Sequence, residues 1–258
     1  MQPILRIHSL SKSFGGLRAF SEVSLQVAPS QIVGIIGPNG AGKTSFFNTL
    51  SGIYKPDGGQ VYFLGEEITG LPPHRICQKG IARTFQNLRL FSEMTVLENV
   101  LTGFVLRDVS RWHQILFRLK SFRRIQKDAE EKSMLLLKQV GLASHADILA
   151  CNLPYGHQRK LEIARAMATG AHILLLDEPG AGMNPTEIME LVEMIRLIRG
   201  QGLSILLIEH HMKVVMELCD HVVVLDHGEE LACGTPSQIA SHPEVISAYL
   251  GDALSTTH

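Results

Sequence analysis

The hydrophobic residues of this chain follow two patterns: short runs near both ends and a helical repeat between them. The runs predict β-strands at residues 5–10, 23–27, 32–36, 61–63, 81–84, 173–176, 204–208 and 222–225. Between about 92 and 168 the apolar positions recur with helical spacing, at 95–106, 112–140 and 157–168. Helical patterns at 186–199 and 211–218 alternate with the later strands, which predicts a parallel sheet. We therefore expect an α/β domain that is interrupted by a helical block.

A glycine-rich loop follows the apolar run at 32–36 and precedes a helix-compatible stretch. It fills every fixed position of G-x-x-x-x-G-K-T with Gly37, Pro38, Asn39, Gly40, Ala41, Gly42, Lys43 and Thr44, followed by Ser45. A strand, glycine loop and helix in this order bind the phosphates of a nucleoside triphosphate, because glycine lets backbone N–H groups approach closely. Lys43 then reaches the β- and γ-phosphates, and Thr44 ligates Mg²⁺. A glycine-rich turn that matches by chance is the alternative, and the flanking elements argue against it.

Two carboxylates follow the apolar run at 173–176. Continuous apolar character is typical of a central parallel strand that is buried on both faces. Asp177 at the end of such a strand can hold Mg²⁺ through water, the usual role of that acid in phosphate-loop enzymes, and Glu178 can orient or deprotonate an attacking water. Two adjacent acids usually belong to a solvated turn, but the complete phosphate loop favours the catalytic interpretation.

The amino-acid composition argues against several classes of protein but does not identify the function. The chain has 258 residues, with 24 Lys and Arg against 25 Asp and Glu, so its charge gives no indication of a nucleic-acid partner. Its four cysteines show neither C-x-x-C pairing nor metal-ligand spacing, which is typical of a reducing compartment. The first residues lack a signal-peptide pattern, and no apolar run reaches the roughly 18–20 residues of a membrane span. We expect a soluble, cytoplasmic protein.

Residues 111–127 interleave basic with apolar and aromatic side chains. A basic amphipathic helix of this kind can lie on an anionic membrane surface or against a membrane protein. The alternative is a helix whose apolar face packs on its neighbours while its basic face is solvated. The sequence leaves both interpretations open.

Four more motifs occur in a fixed order around the loop and the acid pair. Phe14 lies in KSFG, Gln86 in TFQN and His210 in IEHH, and residues 153–158 read LPYGHQ. A single Phe, Gln or His is more often structural than functional, so their joint order and spacing carry the argument. With these motifs the chain resembles, over essentially its whole length, the ATP-binding subunit of an ABC transporter.

This resemblance implies a fold and a set of roles. The fold is α/β: a phosphate-loop NTPase (RecA-like) core with a parallel sheet, an antiparallel β-subdomain and an inserted α-helical subdomain. Phe14 would stack on adenine, and Glu178, His210 and Gln86 would form the catalytic set. The implied Mg²⁺ ligands are Thr44, Gln86 and Asp177. The signature residues implied to bind a partner subunit's nucleotide are Tyr155, Gly156, His157 and Gln158.

The resemblance also divides the chain. Residues 1–91 and 169–228 correspond to the nucleotide-binding core, residues 92–168 to the helical subdomain and residues 229–258 to a C-terminal tail. Residues 87–91, next to Gln86, are expected to form part of a groove for a short cytoplasmic helix of the permease. The alternative is that they form a core edge that seals the domain junction.

Three residues depart from the family pattern. Pro154 replaces the signature serine, which removes a hydroxyl and a backbone N–H expected near the γ-phosphate. Asn184 replaces the aspartate of the loop after the acid pair, and His211 replaces the acid that commonly follows the switch histidine. None of the three removes the catalytic core. Pro154, however, changes which groups the signature can offer to the γ-phosphate.

The phrases RTFQNLRLF, AGMNP and PEVISAYLG resemble those of the ATPase subunit of branched-chain amino acid uptake systems. This implies that ATP hydrolysis with Mg²⁺ energises import at the inner face of the membrane. The implied partners are integral membrane permeases, a second ATP-binding subunit (identical or a paralogue) and, indirectly, a solute-binding protein, but no nucleic acid. The alternatives are a urea or amide importer, a non-transport ABC ATPase in DNA repair or translation, and a regulatory module that exchanges nucleotide without turnover.

Overall fold

The computed structural model describes residues 2–105 and 120–255. The strands are β1 (Leu5–Phe14), β2 (Leu17–Val27), β3 (Ile32–Ile36), β4 (Gly58–Phe63), β5 (Glu66–Glu67), β6 (Ile81–Arg83), β7 (Ile173–Asp177), β8 (Ser204–Ile208), β9 (His221–Asp226) and β10 (Glu229–Gly234). The helices are α1 (Lys43–Leu50), α2 (Pro73–Lys79), α3 (Val96–Val105), α4 (Lys120–Gln139), α5 (Tyr155–Ala168), α6 (Pro185–Gly200), α7 (Met212–Leu218), α8 (Pro236–Ala240) and α9 (Pro243–Ser255). Among these described helices, none combines the length and the apolar character that a membrane span requires.

Two sheets form the framework of the molecule. The first has the order β2-β1-β4-β5 and is antiparallel. The second has the order β10-β9-β3-β8-β7-β6, and its strands are parallel except for the edge strand β10. Ile35 of the central strand pairs with Ile208 on one side and Val223 on the other. The carboxyl ends of β3, β7 and β8 therefore meet at one edge, which is where ligands bind in open α/β sheets.

Burial on both faces explains the continuous apolar strands. Ile32 and Ile36 belong to a core cluster that includes residues of α3, α5 and α6, whereas Val33 and Ile35 belong to a second cluster with the antiparallel sheet and α1. This alternation is the period of two expected for a strand. Every residue of β3, β7 and β8 is buried, which leaves no polar face in their sequences.

Helices α3, α4 and α5 pack together as the predicted helical block. At Gly103 of α3 an added Cβ would lie 2.6 Å from the Cβ of Ala168 and 2.7 Å from the carbonyl oxygen of Arg165. Only glycine fits at such distances, so it sets how closely α3 and α5 approach.

All eight predicted strands are present, and β3 and β8 have the predicted bounds. The first two strands are longer than predicted, because register shifts between Ile7 and Ser13 interrupt the alternation on which the prediction relied. The sequence did not predict β5, β10, α2, α8 and α9. All of them except α9 have seven residues or fewer, and several begin at proline or carry adjacent glutamates, so most of them are too short to show a hydrophobic period.

The C-terminal tail and the basic segment are the two remaining predicted parts of the chain. Residues 229–258, predicted as a C-terminal tail, begin with β10, an edge strand of the core sheet, and continue into α8 and α9. The division of the chain into core, helical subdomain and tail stays a prediction. The basic segment 111–127 lies mostly outside the described residues, which resume at Lys120 with the start of α4. Both interpretations of that segment therefore stay open.

Candidate nucleotide site

The loop between β3 and α1 has the backbone that its glycines allow. Gly37 and Gly42 have φ angles of 148° and 96°, in the region that favours glycine. A Cβ on Gly37 would lie 2.0 Å from the carbonyl oxygen of Leu225, and one on Gly42 would lie 2.3 Å from that of Ala19. Because α1 begins at Lys43, its first N–H groups have no intrahelical acceptor and border the loop. This arrangement suits an anionic ligand.

Lys43 lies folded over the phosphate loop. Its ammonium group donates to the carbonyl oxygen of Gly37 at 2.6 Å and to that of Pro38 at 2.8 Å, and the residue is 8% exposed. Thr44 follows with an exposed side chain, and Ser45 is half-buried. The structure thus brings the cation and the hydroxyl of the motif to one end of β3.

Asp177, the last residue of β7, forms a buried ion pair. Arg83 Nη2 donates to Asp177 Oδ2 at 2.7 Å, and the two side chains are 6% and 3% exposed. Arg83 Nη1 also donates to Asn48 Oδ1 of α1 and to Ser51 Oγ just beyond it. Burial lowers the pKa of the Arg83 guanidinium, and the hydrogen bond to Asp177 opposes this shift. The acid is therefore tied to the helix that follows the phosphate loop.

Glu178 lies at the centre of a cluster that joins three loops. Gln86 Nε2 donates to Glu178 Oε2 at 2.9 Å, and His210 Nδ1 lies 3.7 Å from Glu178 Oε1. The Glu178 side chain is 16% exposed, whereas that of His210 is 47% exposed, so the cluster opens to solvent on the histidine side. The structure brings together the three residues to which the resemblance assigned catalysis.

A buried carboxylate behind this cluster connects two of its loops. Glu209 follows β8 and is fully buried. Its Oε1 accepts from Gly180 N at 2.9 Å, and its Oε2 accepts from His210 N at 2.9 Å and from His211 N at 3.0 Å. Glu209 therefore fixes the backbone on which the switch histidine is carried relative to the loop that follows Glu178. His211 Nδ1 also lies 3.1 Å from Glu209 Oε2.

Phe14, predicted to stack on adenine, lies at the end of β1. Its ring is 41% exposed and meets the ring of Tyr54 edge-on, with the centroids 5.0 Å apart. The Lys12 ammonium lies 5.3 Å from the Phe14 ring centroid and pairs with Asp57 at 2.8 Å. An exposed aromatic face held by these neighbours is suited to stacking on a flat base.

The signature residues lie at the start of α5, in the helical part of the molecule. Pro154 is the N-cap, so it precedes the first turn and its missing N–H leaves no helix bond unmade. An added Cβ on Gly156 would lie 2.9 Å from Glu187 Oε1, and Gln158 Nε2 donates to the carbonyl oxygen of Leu153. The hydroxyl of Tyr155 accepts from Arg159.

His157, the remaining signature residue, is partly enclosed. Its ring meets that of His145 edge-on, with the centroids 5.1 Å apart, and its Nδ1 is buried without a hydrogen-bond partner. Burial, followed by the charge of Lys160, lowers the pKa of His157 below its ordinary value. A neutral imidazole is therefore favoured at this position.

The sequence analysis did not predict three residues of this region: Arg83, Arg159 and Glu209. Glu209 carries a sequence signal, because it follows the apolar run 205–208 as Asp177 follows the apolar run 173–176. The two arginines carry none, because their partners lie 94 and 73 residues away in the chain. Only the order of strands and helices brings them together.

Comparison with known proteins places these features in a family. The family model of ABC transporters matches residues 20–181, and that of the branched-chain amino acid ATP-binding cassette transporter matches residues 229–254. The chain is 49% identical to the high-affinity branched-chain amino acid transport ATP-binding protein BraF of Pseudomonas aeruginosa, across 98% of this chain and 99% of that one. It is 48% identical to the corresponding LivG of Escherichia coli, with the same coverage.

Solved structures agree with these sequence relatives. A nucleotide-free ATP-binding cassette from an ABC transporter superposes with a TM-score of 0.84 at 32% identity, covering 96% of this chain and 99% of that chain. An ATP-binding cassette of an ABC transporter in its ADP conformation gives the same TM-score and identity, covering 97% and 100%. The phosphate-loop NTPase fold predicted from the sequence is confirmed. The chain belongs to the ABC transporter family, as an ATP-binding subunit whose ATPase activity is coupled to transport.

Proposed function

We propose that this chain hydrolyses ATP to energise the import of branched-chain or related amino acids, at the inner face of the cell membrane. The observation that carries the proposal is the cluster of Gln86, Glu178 and His210 at the sheet edge where the phosphate loop lies. The names of the relatives and the C-terminal family match support the class of solute.

The chemistry assigned to the site is phosphoryl transfer to water. Lys43 and the loop amides stabilise negative charge on the β- and γ-phosphates. Glu178 orients the attacking water or accepts a proton from it. Gln86 holds the Oε2 atom of Glu178 in place through its hydrogen bond. His210, exposed beside Glu178, contacts the γ-phosphate, and Phe14 stacks on the adenine.

The residues present fit Mg²⁺. The Thr44 hydroxyl, the Gln86 carboxamide oxygen and the Asp177 carboxylate are hard oxygen donors of the kind this ion prefers. Gln86 directs its amide nitrogen at Glu178, which leaves its oxygen for the ion, and Asp177 directs only Oδ2 at Arg83. When bound, the ion neutralises charge on the β- and γ-phosphates.

A second ATP-binding subunit, identical or a paralogue, completes each site in this proposal. Tyr155, Gly156, His157 and Gln158 begin α5, a helix of the block that packs with α3 and α4, whereas the phosphate loop belongs to β3 and α1. The start of α5 offers N–H groups with no intrahelical acceptor to the partner's γ-phosphate, even though Pro154 supplies no hydroxyl.

The permease is assigned to a groove beside Gln86. A cavity of about 500 Å³ lies between residues 81–91 and helices α2, α3 and α5. Arg89 and Phe91 line it, whereas Leu90 packs against the core cluster. Phe91 is 50% exposed and lies under the Arg165 guanidinium, 5.5 Å from ring centroid to Cζ. A short permease helix with apolar side chains would cover this ring.

The alternatives differ in what the assembled complex transports. The lipopolysaccharide export system ATP-binding protein LptB of Acidithiobacillus ferridurans is 32% identical to this chain. Similarity at that level therefore does not by itself identify the transported solute. The test is ATP-dependent uptake by vesicles that contain this subunit and its membrane partners. Uptake of leucine, isoleucine or valine supports the proposal, and uptake of urea or an amide in their place supports the other importer. Uptake of none of these solutes would contradict the proposed class of cargo.

A further inference from the structure

A single buried arginine joins the signature helix to the loop that carries Gln86. Arg159, in the first turns of α5, is 3% exposed. Its Nη1 donates to the carbonyl oxygen of Phe85 at 2.8 Å, and its Nη2 donates to that of Gln86. Its Nε and Nη2 also donate to the Tyr155 hydroxyl, at 3.1 and 2.7 Å. All three nitrogens of the guanidinium are therefore bonded.

The acceptors explain why an arginine is needed here. The last backbone bond of the β6 edge runs from Thr84 N to Leu175 O, so Phe85 and Gln86 lie beyond the sheet ladder. These two carbonyl groups need donors from outside the ladder, and a planar guanidinium can satisfy two neighbouring carbonyls at once. A lysine ammonium at the same place is a point charge and cannot reproduce this fork.

A second group on α5 holds the same loop. Glu162, one turn beyond Arg159, is 2% exposed, and its Oε1 accepts from Arg89 N at 3.4 Å. Its Oε2 lies 3.6 Å from Arg159 Nη1. Burial raises the pKa of Glu162, and the charge of Arg159 opposes that shift. Two side chains of α5 therefore bind the backbone of residues 85–89: Arg159 at its first two residues and Glu162 at its last.

We infer that Arg159 is a positioning residue for ATP hydrolysis. Through the carbonyl groups of Phe85 and Gln86 it fixes the backbone from which the Gln86 side chain reaches Glu178 Oε2. It also makes the position of Gln86 depend on that of the signature helix. Because Tyr155 accepts from the same guanidinium and its ring lies against Gly182, the signature start, the Gln86 loop and the loop after Glu178 are linked. This inference rests on the catalytic roles proposed for Gln86 and Glu178.

A double-mutant cycle on the assembled transporter tests the inference. Arg159→Ala should lower kcat for ATP hydrolysis about ten- to a hundredfold, the range expected when a reacting group is misplaced. The affinity for a fluorescent ATP analogue should be unchanged, since Arg159 acts on Gln86 and not on the phosphate loop. In a Gln86→Ala background, Arg159→Ala should add less than about twofold, because its target is already gone. Lys160→Ala, which removes the ion pair with Glu190 and none of the bonds made by Arg159, is the matched control.

Each outcome has one meaning. If Arg159→Ala lowers kcat by the same factor with and without Gln86, the two residues act independently and the inference is overturned. If Gln86→Ala alone leaves kcat unchanged, the proposed role of Gln86 is wrong instead. Should Arg159→Ala fail to fold, Arg159→Lys replaces it, since it retains the buried charge beside Glu162. Arg159→Lys should lower kcat in the wild-type background and be nearly silent in the Gln86→Ala background, and equal losses in both overturn the inference.

Discussion

At the scale of single residues, Glu178 shows how this site constrains its chemistry. Its φ of 48° is rare for a residue other than glycine and costs about 1 kcal/mol or more. Its N–H donates to Ile208 O at 2.9 Å, and its carboxylate accepts from Gln86, so the surroundings maintain this conformation. A constrained backbone that turns a carboxylate out of a strand end is typical of functional sites.

Replacing the Glu178 carboxylate should separate binding from hydrolysis. Glu178→Gln keeps the size of the side chain but removes the base, so kcat should fall about a hundredfold or more. ATP affinity should be retained, because Lys43 and the loop amides hold the phosphates. The matched control is Glu193→Gln, on the exposed face of α6, where the acid pairs only with Arg196. Wild-type turnover in Glu178→Gln would remove this residue from its assigned role.

His157 gives the signature a pH-dependent stability. Its pKa lies below the ordinary value of 6.5, first through burial and then through the charges of Lys160 and His145, while Glu190 and Glu187 oppose the shift. Below about pH 6.5 the unfolded chain binds a proton at this residue more readily than the folded chain does. The free energy of unfolding should therefore fall as the pH drops through 6.5, and it should regain its full value above it.

Thermal unfolding between pH 5 and 7.5 measures this effect. His157→Gln removes the titrating group, so its melting temperature should fall less steeply than that of the wild type on the acid side. His8→Gln, at an exposed position of β1, is the matched histidine replacement. Parallel curves for His157→Gln and the wild type would show that His157 does not contribute.

At this scale the sequence could predict site residues that lie in one continuous motif, but not those whose partners are distant in the chain. The phosphate loop and the Asp177–Glu178 pair are continuous motifs next to strands, so their places follow from local pattern. The partners of Asp177 and Gln86 are not local, because Arg83 and Arg159 reach them only through the strand order β8-β7-β6 and the packing of α5. Family resemblance supplied Gln86 and His210, and residue patterns alone did not.

At the scale of elements, the helix after the acid pair shows how a departure from the family pattern is accommodated. Asn184 is the N-cap of α6: its Oδ1 accepts from Thr186 N and Glu187 N, both at 3.0 Å. Glu187 returns a bond by accepting from Asn184 N at 2.9 Å, which completes a capping box. Because Glu187 also lies against Gly156, this cap supports the start of the signature helix.

Removing the cap should destabilise the protein without touching the catalytic cluster. Asn184→Ala should lower the free energy of unfolding by about 1 kcal/mol, the usual cost of losing an N-cap side chain. Asn184→Asp keeps the acceptor and adds a negative charge at a helix start, so its stability should equal or exceed that of the wild type. Thermal melting of the three proteins compares them. Equal melting temperatures for Asn184→Ala and the wild type would contradict the structural role of the cap.

The elements that sequence patterns predicted are those that burial defines. Strands β3 and β8 have the predicted bounds because all of their residues are buried, and each run ends at a Gly or a Glu. Strand β10 begins with two exposed glutamates and lies at a sheet edge, so its apolar run has only three residues, 231–233, and none of them is buried. Helices α2, α8 and α9 begin at proline, which marks a start but not a length.

At the scale of the whole molecule, the segment from β6 to α3 links the nucleotide edge to the groove assigned to the permease. Arg83 pairs with Asp177 at the site and also lines the groove. The ring of Phe85 contacts the guanidinium groups of both Arg83 and Arg89, with centroid distances of 5.1 and 4.3 Å. A partner that displaces this segment would therefore disturb the acid at the site, which is the physical basis on which we expect coupling.

The groove assignment yields a prediction that separates neighbouring residues. Phe91 is exposed and lines the groove, whereas Leu90 packs against the core cluster. Phe91→Ser should leave ATP binding and the melting temperature unchanged but lower solute uptake per ATP about tenfold or more, because losing a buried aromatic anchor costs an interface about 2 kcal/mol. Leu90→Ser should instead lower the melting temperature, since it exposes part of the core.

The control for this experiment is another exposed apolar residue that lies outside the groove. Leu197 on α6 is 61% exposed and does not line the groove, so Leu197→Ser should change neither uptake nor melting temperature. Uptake and ATP hydrolysis are measured together in vesicles that contain the assembled transporter, so that a loss of coupling is distinguished from a loss of hydrolysis. If Phe91→Ser and Leu197→Ser transport the same amount of solute per ATP as the wild type, the permease docks on another surface of this subunit. If Leu197→Ser alone loses coupling, the docking surface includes the exposed face of α6.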